Sequence, residues 1–209
     1  MKLTKNKLSV LLSKLKTFED LNLKLEQYQT DSEIAAEVLW IAFMNNDIKD
    51  KVIGDLGCGN GVLGLGALIL GAKKVYFIDV DKKVLEIAKE NKKVLEKELN
   101  EKLDAIFMNE EIKSFNKKVD VVIENPPFGV KEKHADKEFL IKAMDISNVV
   151  YSFHKIESED FIEKLSNDNG FIVKDVIKIK FPIKSSFKFH RKKVHFVDVG
   201  CFRLIKIVN

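Results

Sequence analysis

The sequence predicts an α/β fold built on a seven-stranded, doubly wound sheet whose last strand runs antiparallel to the others. Three observations lead there. Short apolar runs rich in Val, Ile and Phe alternate with longer segments of helical periodicity along nearly the whole chain. The first strand, Val52-Ile53, runs into the glycine-rich loop Asp55-Leu56-Gly57-Cys58-Gly59-Asn60-Gly61 and then into an apolar helix, Val62 to Leu70. That strand, loop and helix order is the one a nucleotide site needs. The last two strands are joined by a segment without helical pattern, which makes them a hairpin and reverses the direction of the final one.

Each element has its own signal. Leu8, Leu11, Leu12, Leu15 and Phe18 recur at helical spacing in a Lys-rich N-terminal segment, and core packing accounts for them. A second helix covers about Ser32 to Met44; either Thr30 or Asp31 can cap it, and Asp31, Ser32 and Glu33 suit its positive end. Past the glycine loop, Lys74 to Asp79 is an apolar strand ending in an acid, followed by a helix from Lys82 to Lys97. Strands then fall near Ala105 to Met108, Val119 to Glu124 and Val149 to Phe153, with helices at Lys137 to Ile146 and Ser158 to Ser166. Phe171 to Ile179 and Val194 to Val208 form the hairpin, whose connecting loop lies at the same sheet end as Asn125.

Composition bounds the function without naming it. A chain of 209 residues with 45% hydrophobic content supports one domain, 1–209, with an N-terminal helical part at 1–48 and the sheet core at 49–209. No signal peptide pattern is present and no apolar run reaches the roughly 18 residues that span a bilayer, so a cytoplasmic protein is expected. Cys58 and Cys201 are too few for a disulfide framework, and His134, His154, His190 and His195 lack zinc spacing, so no metal is expected. The net charge of +4 is too small a surplus to announce a nucleic-acid binder.

Chemistry enters at the strand ends. Asp79 falls 20 residues beyond Gly59, where a carboxylate can take the hydroxyls of a ribose. Gly59 to Gly64 also satisfies the dinucleotide pattern GxGxxG. Asp55 argues for a different cofactor, because an acid at the mouth of the loop repels a pyrophosphate and favours a cationic or ammonium-bearing ligand. After the fourth strand comes Asn125-Pro126-Pro127-Phe128. Two prolines end the strand and leave carbonyls free as acceptors. The Asn125 side-chain oxygen and the Pro126 carbonyl can accept both hydrogens of an exocyclic amine while Phe128 stacks on its ring. Tyr151, Phe153 and His154, at the end of the fifth strand, are placed to border that base pocket, and His154 equally suits a satisfied place at the core edge. Between the hairpin strands, Phe187-Lys188-Phe189-His190-Arg191-Lys192-Lys193 interleaves cations with aromatics, which suits phosphates and exposed bases. A mixed-charge loop, Val130 to Asp136, follows the Asn-Pro-Pro-Phe element and has the position of a lid.

Several of these motifs, taken in order, resemble one family. They are Leu25-Glu26-Gln27-Tyr28-Gln29-Thr30, Asp55-Leu56-Gly57-Cys58-Gly59 with Gly61-Val62-Leu63, Asn125-Pro126-Pro127-Phe128-Gly129 with Lys131, Val150 to Lys155, and Phe187 to Lys193. Together they resemble the methyltransferase-like protein 5 family, class I S-adenosylmethionine-dependent enzymes of Rossmann-like fold that methylate adenine N6 in ribosomal RNA. The resemblance implies catalytic roles for Asn125, Pro126, Pro127 and Phe128. It implies a cofactor site of Gln27, Tyr28, Thr30, Asp55, Gly57, Gly59, Asn60, Gly61, Val62, Asp79, Val80, Asn109 and Glu110, with part of segment 1–48 covering the cofactor. It implies RNA contacts from Lys131, Phe187, Lys188, His190, Arg191, Lys192 and Lys193, a small-subunit ribosomal RNA substrate, and a small zinc-binding activator subunit docked at the sheet edge. The family usually has Pro where this chain has Gln29 and Asp where it has Asn109.

The same Asn-Pro-Pro-aromatic chemistry also serves DNA adenines and protein glutamine amides. Two readings from other classes stand beside it: an NAD-dependent oxidoreductase using the GxGxxG match, and a noncatalytic RNA-binding assembly factor.

Overall fold

The computed structural model describes residues 3–17, 30–127, 135–184 and 194–207. In order they form α1 (Lys5–Ser13), α2 (Ser32–Met44), β1 (Val52–Leu56), α3 (Val62–Ile69), β2 (Lys74–Asp79), α4 (Lys82–Leu99), β3 (Ala105–Asn109), β4 (Val121–Glu124), α5 (Ala135–Ile146), β5 (Val149–Lys155), α6 (Glu159–Asp168), β6 (Phe171–Lys184) and β7 (Val194–Lys206). The seven strands make one sheet in the order β3-β2-β1-β4-β5-β7-β6. Strands β3, β2, β1, β4 and β5 are parallel, and β7 is antiparallel to both β5 and β6. The chain reverses its direction of sheet growth between β1 and β4, and in such sheets ligands bind in the crevice outside the carboxyl ends of those two strands.

Side-chain alternation along the strands divides the core into two layers. Ile53, Phe77, Val121, Ile123, Tyr151 and Phe153 pack with Leu8, Leu12, Leu39 and Leu65 on the face of α1, α2 and α3. Leu56, Ile78, Val122, Val150 and Phe202 pack with Leu140, Met144 and Ile162 on the face of α5 and α6. Tyr151, Phe153 and His154 are all buried, so burial gives them core roles. The Tyr151 hydroxyl donates to Asp47 Oδ2 at 2.7 Å, and Arg203 Nε donates to the same oxygen at 2.9 Å, tying the end of α2 to β5 and β7.

The elements fall where the sequence places them, with changes at their ends. β4 begins at Val121 rather than Val119, because the Val119 amide donates to Ile146 O and the Asp120 amide to Val52 O. β6 runs on to Lys184, past the expected end at Ile179. Pro182 is tolerated there because, among the described residues, β6 is an edge strand paired to β7. Lys155, the last residue of β5, is level with Val199, so the β6-β7 ribbon continues from Lys180 to Lys184 beyond its neighbour, a projection of about 17 Å at the rise of a strand. Because β6 runs parallel to β4, the ribbon leaves the sheet at the end that carries Asn125. No helix among the described residues is long and apolar enough to cross a membrane.

Candidate active site

The glycine loop owes its shape to backbone that side chains rarely allow and to one carboxylate. Gly57, Gly59 and Gly61 have φ of 66°, 53° and 82°, in the left-handed region. The amides of Gly57 and Cys58 donate to Ile78 O, and Gly59 N donates to Asp79 Oδ2 at 2.9 Å. The other Asp79 oxygen accepts from Asp81 N at 2.9 Å. Asp79 therefore braces the loop from the end of β2 and keeps lone pairs for a further donor. Gly64 serves close approach instead. A Cβ there would lie 2.4 Å from Phe77 Cε1 and 2.8 Å from Asp55 Oδ2, and its absence lets Gly64 N donate to that oxygen at 2.8 Å.

Three acids meet at this sheet end with little solvent: Asp55 is 1% exposed, Asp79 9% and Glu124 0%. Burial pushes Asp55 up to about 7, against the Gly64 amide and assisted by the charge of Asp79. Burial likewise raises Glu124 to about 8, against the Ser152 hydroxyl and assisted by Asp55. Asp79 is raised by burial as well, against the amides of Asp81 and Gly59. Among the described residues none of the three has an ion-pair partner. Burial without ion-pair partners disfavours their charged forms, so a cation placed against Asp55 and Asp79 is favoured and draws them toward the ionised form, whereas a pyrophosphate is repelled.

Asn125 follows β4 at the switch point and is half-buried, with Pro126 buried and Pro127 half-buried after it. Its Nδ2 donates to Thr30 Oγ1 at 3.0 Å, and among the described residues no donor reaches Oδ1. Asn109 ends β3, and its Nδ2 donates to the carbonyls of Asp79 and Val80 at 3.0 and 2.9 Å, which anchors the turn after β2. Beside it, Glu110 Oε1 is buried with no hydrogen-bond partner among the described residues, an acceptor in want of a donor. Val62 opens α3 and is buried, Val80 is half exposed, and Asn60 Nδ2 donates to Lys16 O at 3.1 Å. Thus Thr30, Asp55, Gly57, Gly59, Asn60, Gly61, Val62, Asp79, Val80, Asn109 and Glu110 line or brace the ends of β1, β2, β3 and β4. Gln27, Tyr28, Phe128, Lys131, Phe187, Lys188, His190, Arg191, Lys192 and Lys193 lie outside the described residues.

Two arrangements are absent from the sequence reading. Asn91 of α4 is fully buried; its Nδ2 donates to Lys16 O and Asn60 O at 3.1 and 3.0 Å, and its Oδ1 accepts from Lys16 N at 2.7 Å. It clasps the N-terminal segment to the glycine loop. Its signal was present, since Val84, Ala88, Asn91 and Leu95 share the buried helix face and an amide there needs partners. Behind Asn125, Ser152 Oγ donates to Glu124 Oε1 at 2.7 Å and lies 2.7 Å from His154 Nε2. Burial pushes His154 down to about 3, which keeps the ring neutral.

An open sheet of this order, with its acids gathered where a dinucleotide would lay its phosphates and an Asn-Pro-Pro turn facing them, has the build of a class I methyltransferase rather than of a nicotinamide oxidoreductase. Comparison with known proteins agrees and narrows the class. A family model described as ribosomal protein L11 methyltransferase (PrmA) matches residues 35–126. The rRNA N(6)-adenosine-methyltransferase METTL5 of Danio rerio is 36% identical over 199 residues, covering 92% of this chain and 94% of the relative. Its namesake from Drosophila melanogaster is 32% identical over 202 residues, covering 94% of each. A crystal structure from Pyrococcus horikoshii, provisionally described as an RNA methyltransferase, is 44% identical, covers 100% of both chains and superposes with a TM-score of 0.86. The chain belongs to the METTL5 family of methyltransferases.

Proposed function

We propose that the protein transfers a methyl group from S-adenosylmethionine to the N6 amine of an adenosine in structured RNA, with small-subunit ribosomal RNA as the substrate. The observation that carries the reading is the Asn125-Pro126-Pro127 turn at the switch point, whose Oδ1 accepts from no donor among the described residues and lies beside three buried acids that have no ion-pair partner among them. When bound, S-adenosylmethionine supplies an electrophilic methyl group on a sulfonium sulfur. The residues present fit it. Asp55 and Asp79 favour its positive charge, Asp79 has lone pairs for ribose hydroxyls, and Glu110 Oε1, unpartnered among the described residues, can accept from its adenine amine. With Asn109 tied to the backbone of Asp79 and Val80, Glu110 takes the acceptor role that Asp commonly fills in relatives.

An exocyclic adenine amine is a poor nucleophile because its lone pair is delocalised into the ring. Asn125 Oδ1 and the Pro126 carbonyl accept its two N–H hydrogens and hold the nitrogen in line for attack. As the nitrogen–carbon bond forms and the carbon–sulfur bond breaks, positive charge grows on the nitrogen, and the same two oxygens stabilise it. The surplus proton then leaves to water, so no general base precedes attack. Phe128 stacks on the base. An adenine paired in a helix is flipped out first.

Lys188, Arg191, Lys192 and Lys193 join the two ends of the projecting β6-β7 ribbon, and with Lys131, Phe187 and His190 they contact the RNA. The whole of 1–209 acts as one catalytic domain, with part of 1–48 over the cofactor. A small zinc-binding activator subunit adds a strand at the β3 edge, where Ile106 is exposed. The enzyme works in the cytoplasm. To test the reading, unmodified ribosomal subunits are incubated with the protein and S-adenosylmethionine, with and without the activator, and the RNA nucleosides are analysed by mass spectrometry. N6-methyladenosine is expected; its absence in both arms refutes the reading.

A further inference from the structure

An amide side chain can sit in two nearly isosteric orientations, and only one of them lets Asn125 present an acceptor to the target amine. In the other, Nδ2 faces the amine and two sets of N–H groups oppose each other. We infer that Thr30 is a positioning residue that holds the Asn125 amide with Nδ2 turned inward, leaving Oδ1 for the base; the inference rests on the role given to Asn125 above. The hydroxyl of Thr30 lies 3.0 Å from Nδ2 across 95 residues of sequence, and Thr30 is 5% exposed, so water competes little for the bond.

Thr30 is available because its neighbour does the capping. Asp31 is the N-cap of α2, with its carboxylate accepting from Glu33 N at 2.8 Å and its carbonyl accepting from Ala35 N at 2.8 Å. Those two bonds fix the chain one residue away and leave the Thr30 side chain free to face β4. With a target amine in place, only the inward orientation satisfies both ends of the Asn125 amide, Nδ2 on Thr30 and Oδ1 on the amine. Donation from Nδ2 also polarises the amide and makes Oδ1 a stronger acceptor. Thr30 thereby links the segment that precedes α2 to the reacting nitrogen without touching it.

Thr30→Val keeps the shape and removes the hydroxyl, and Thr30→Ser keeps the hydroxyl and removes the methyl. Three readouts apply: S-adenosylhomocysteine affinity by calorimetry, the single-turnover methylation rate on saturating ribosomal RNA, and the Asn125 side-chain amide signals in nitrogen-15 spectra, assigned by their loss in Asn125→Ala. Thr30→Val is expected to be about ten- to a hundredfold slower, the scale of a misplaced reacting group. Any change in its cofactor affinity should be too small to account for the slower rate measured at saturating S-adenosylmethionine, and its Asn125 amide signals should move. Thr30→Ser should behave as the parent, and Thr30→Val should slow Asn125→Ala no further. A parental rate in Thr30→Val overturns the inference, as does a loss of cofactor affinity large enough to explain the slower rate, or a Thr30→Ser as slow as Thr30→Val. If Thr30→Val does not fold, Thr30→Ala takes its place with the same expectations. If the parent itself methylates no adenosine, the functional reading fails and the spectra decide separately: Asn125 amide signals left in place by Thr30→Val overturn the tether.

Discussion

Asp79→Ala removes a carboxylate that has two jobs, and the structure sets the size of each. Its oxygens accept from Gly59 N and Asp81 N, both at 2.9 Å, and both bonds hold the chain in the glycine loop and in the turn after β2. Hydrogen bonds to a charged group are worth about 1.5–3 kcal/mol each, and relief from burying the carboxylate offsets part of that, so a net loss of about 2 kcal/mol is expected. For a chain of 209 residues this lowers the thermal midpoint by about 4–8 °C. Losing the ribose acceptor should cost a further 1.5–3 kcal/mol or so in cofactor binding, roughly ten- to a hundredfold in Kd. Asp79→Asn retains one acceptor oxygen and should fall between. Thermal melts without ligand and calorimetry with S-adenosylhomocysteine separate the two effects. A mutant with the parent's melting point and affinity refutes both the brace and the ribose assignment; normal melting with weak binding refutes the brace alone.

Two further predictions follow from charge. Glu124 is raised from 4.5 to about 8 in the folded protein, so the folded state prefers the protonated form; the stability this lends is complete below pH 4.5 and is lost as pH rises toward about 8. Glu124→Gln removes that dependence, so between pH 5 and 8 its unfolding free energy should fall less steeply than the parent's, by up to about 1.4 kcal/mol per pH unit; parallel pH profiles from denaturant titrations would contradict the burial argument. Replacing Lys188, Arg191, Lys192 and Lys193 with Ala should weaken RNA binding and leave cofactor affinity alone. Its salt dependence should flatten by about 0.7–0.9 for each phosphate that the loop no longer neutralises. Filter binding across a salt series checks this, and an unchanged slope would mean that the loop is merely solvated.

The strands and the glycine loop were legible because each is specified locally. Val75, Phe77 and Ile78 announce a buried strand wherever they occur, and Gly59, Gly61 and Gly64 mark a loop that must turn tightly and a helix that must pack closely. Asp79 could be given a ribose by its spacing, yet its brace on Gly59 N needed coordinates, since a spacing cannot say which amides a carboxylate already holds. Thr30 shows the limit most plainly. Sequence physics left Thr30 and Asp31 both able to cap α2; Asp31 does it through local bonds, and the partner that Thr30 then finds, Asn125, lies 95 residues away, beyond the reach of any local signal. The burial of Asn91 was legible from its place on the apolar face of α4, but its partners, like those in the Glu124, Ser152 and His154 chain, come from other elements and were hidden.

Methyl transfer by this route depends on Asn125 holding the adenine amine, and the single-turnover rate of Asn125→Ala at saturating RNA and cofactor tests that most directly. Removing one preorganised group that stabilises developing charge should slow methyl transfer by about two to three orders of magnitude, with S-adenosylhomocysteine affinity nearly unchanged. A parental rate in the mutant would contradict the account, because the amine would then be held by something other than the Asn-Pro-Pro turn.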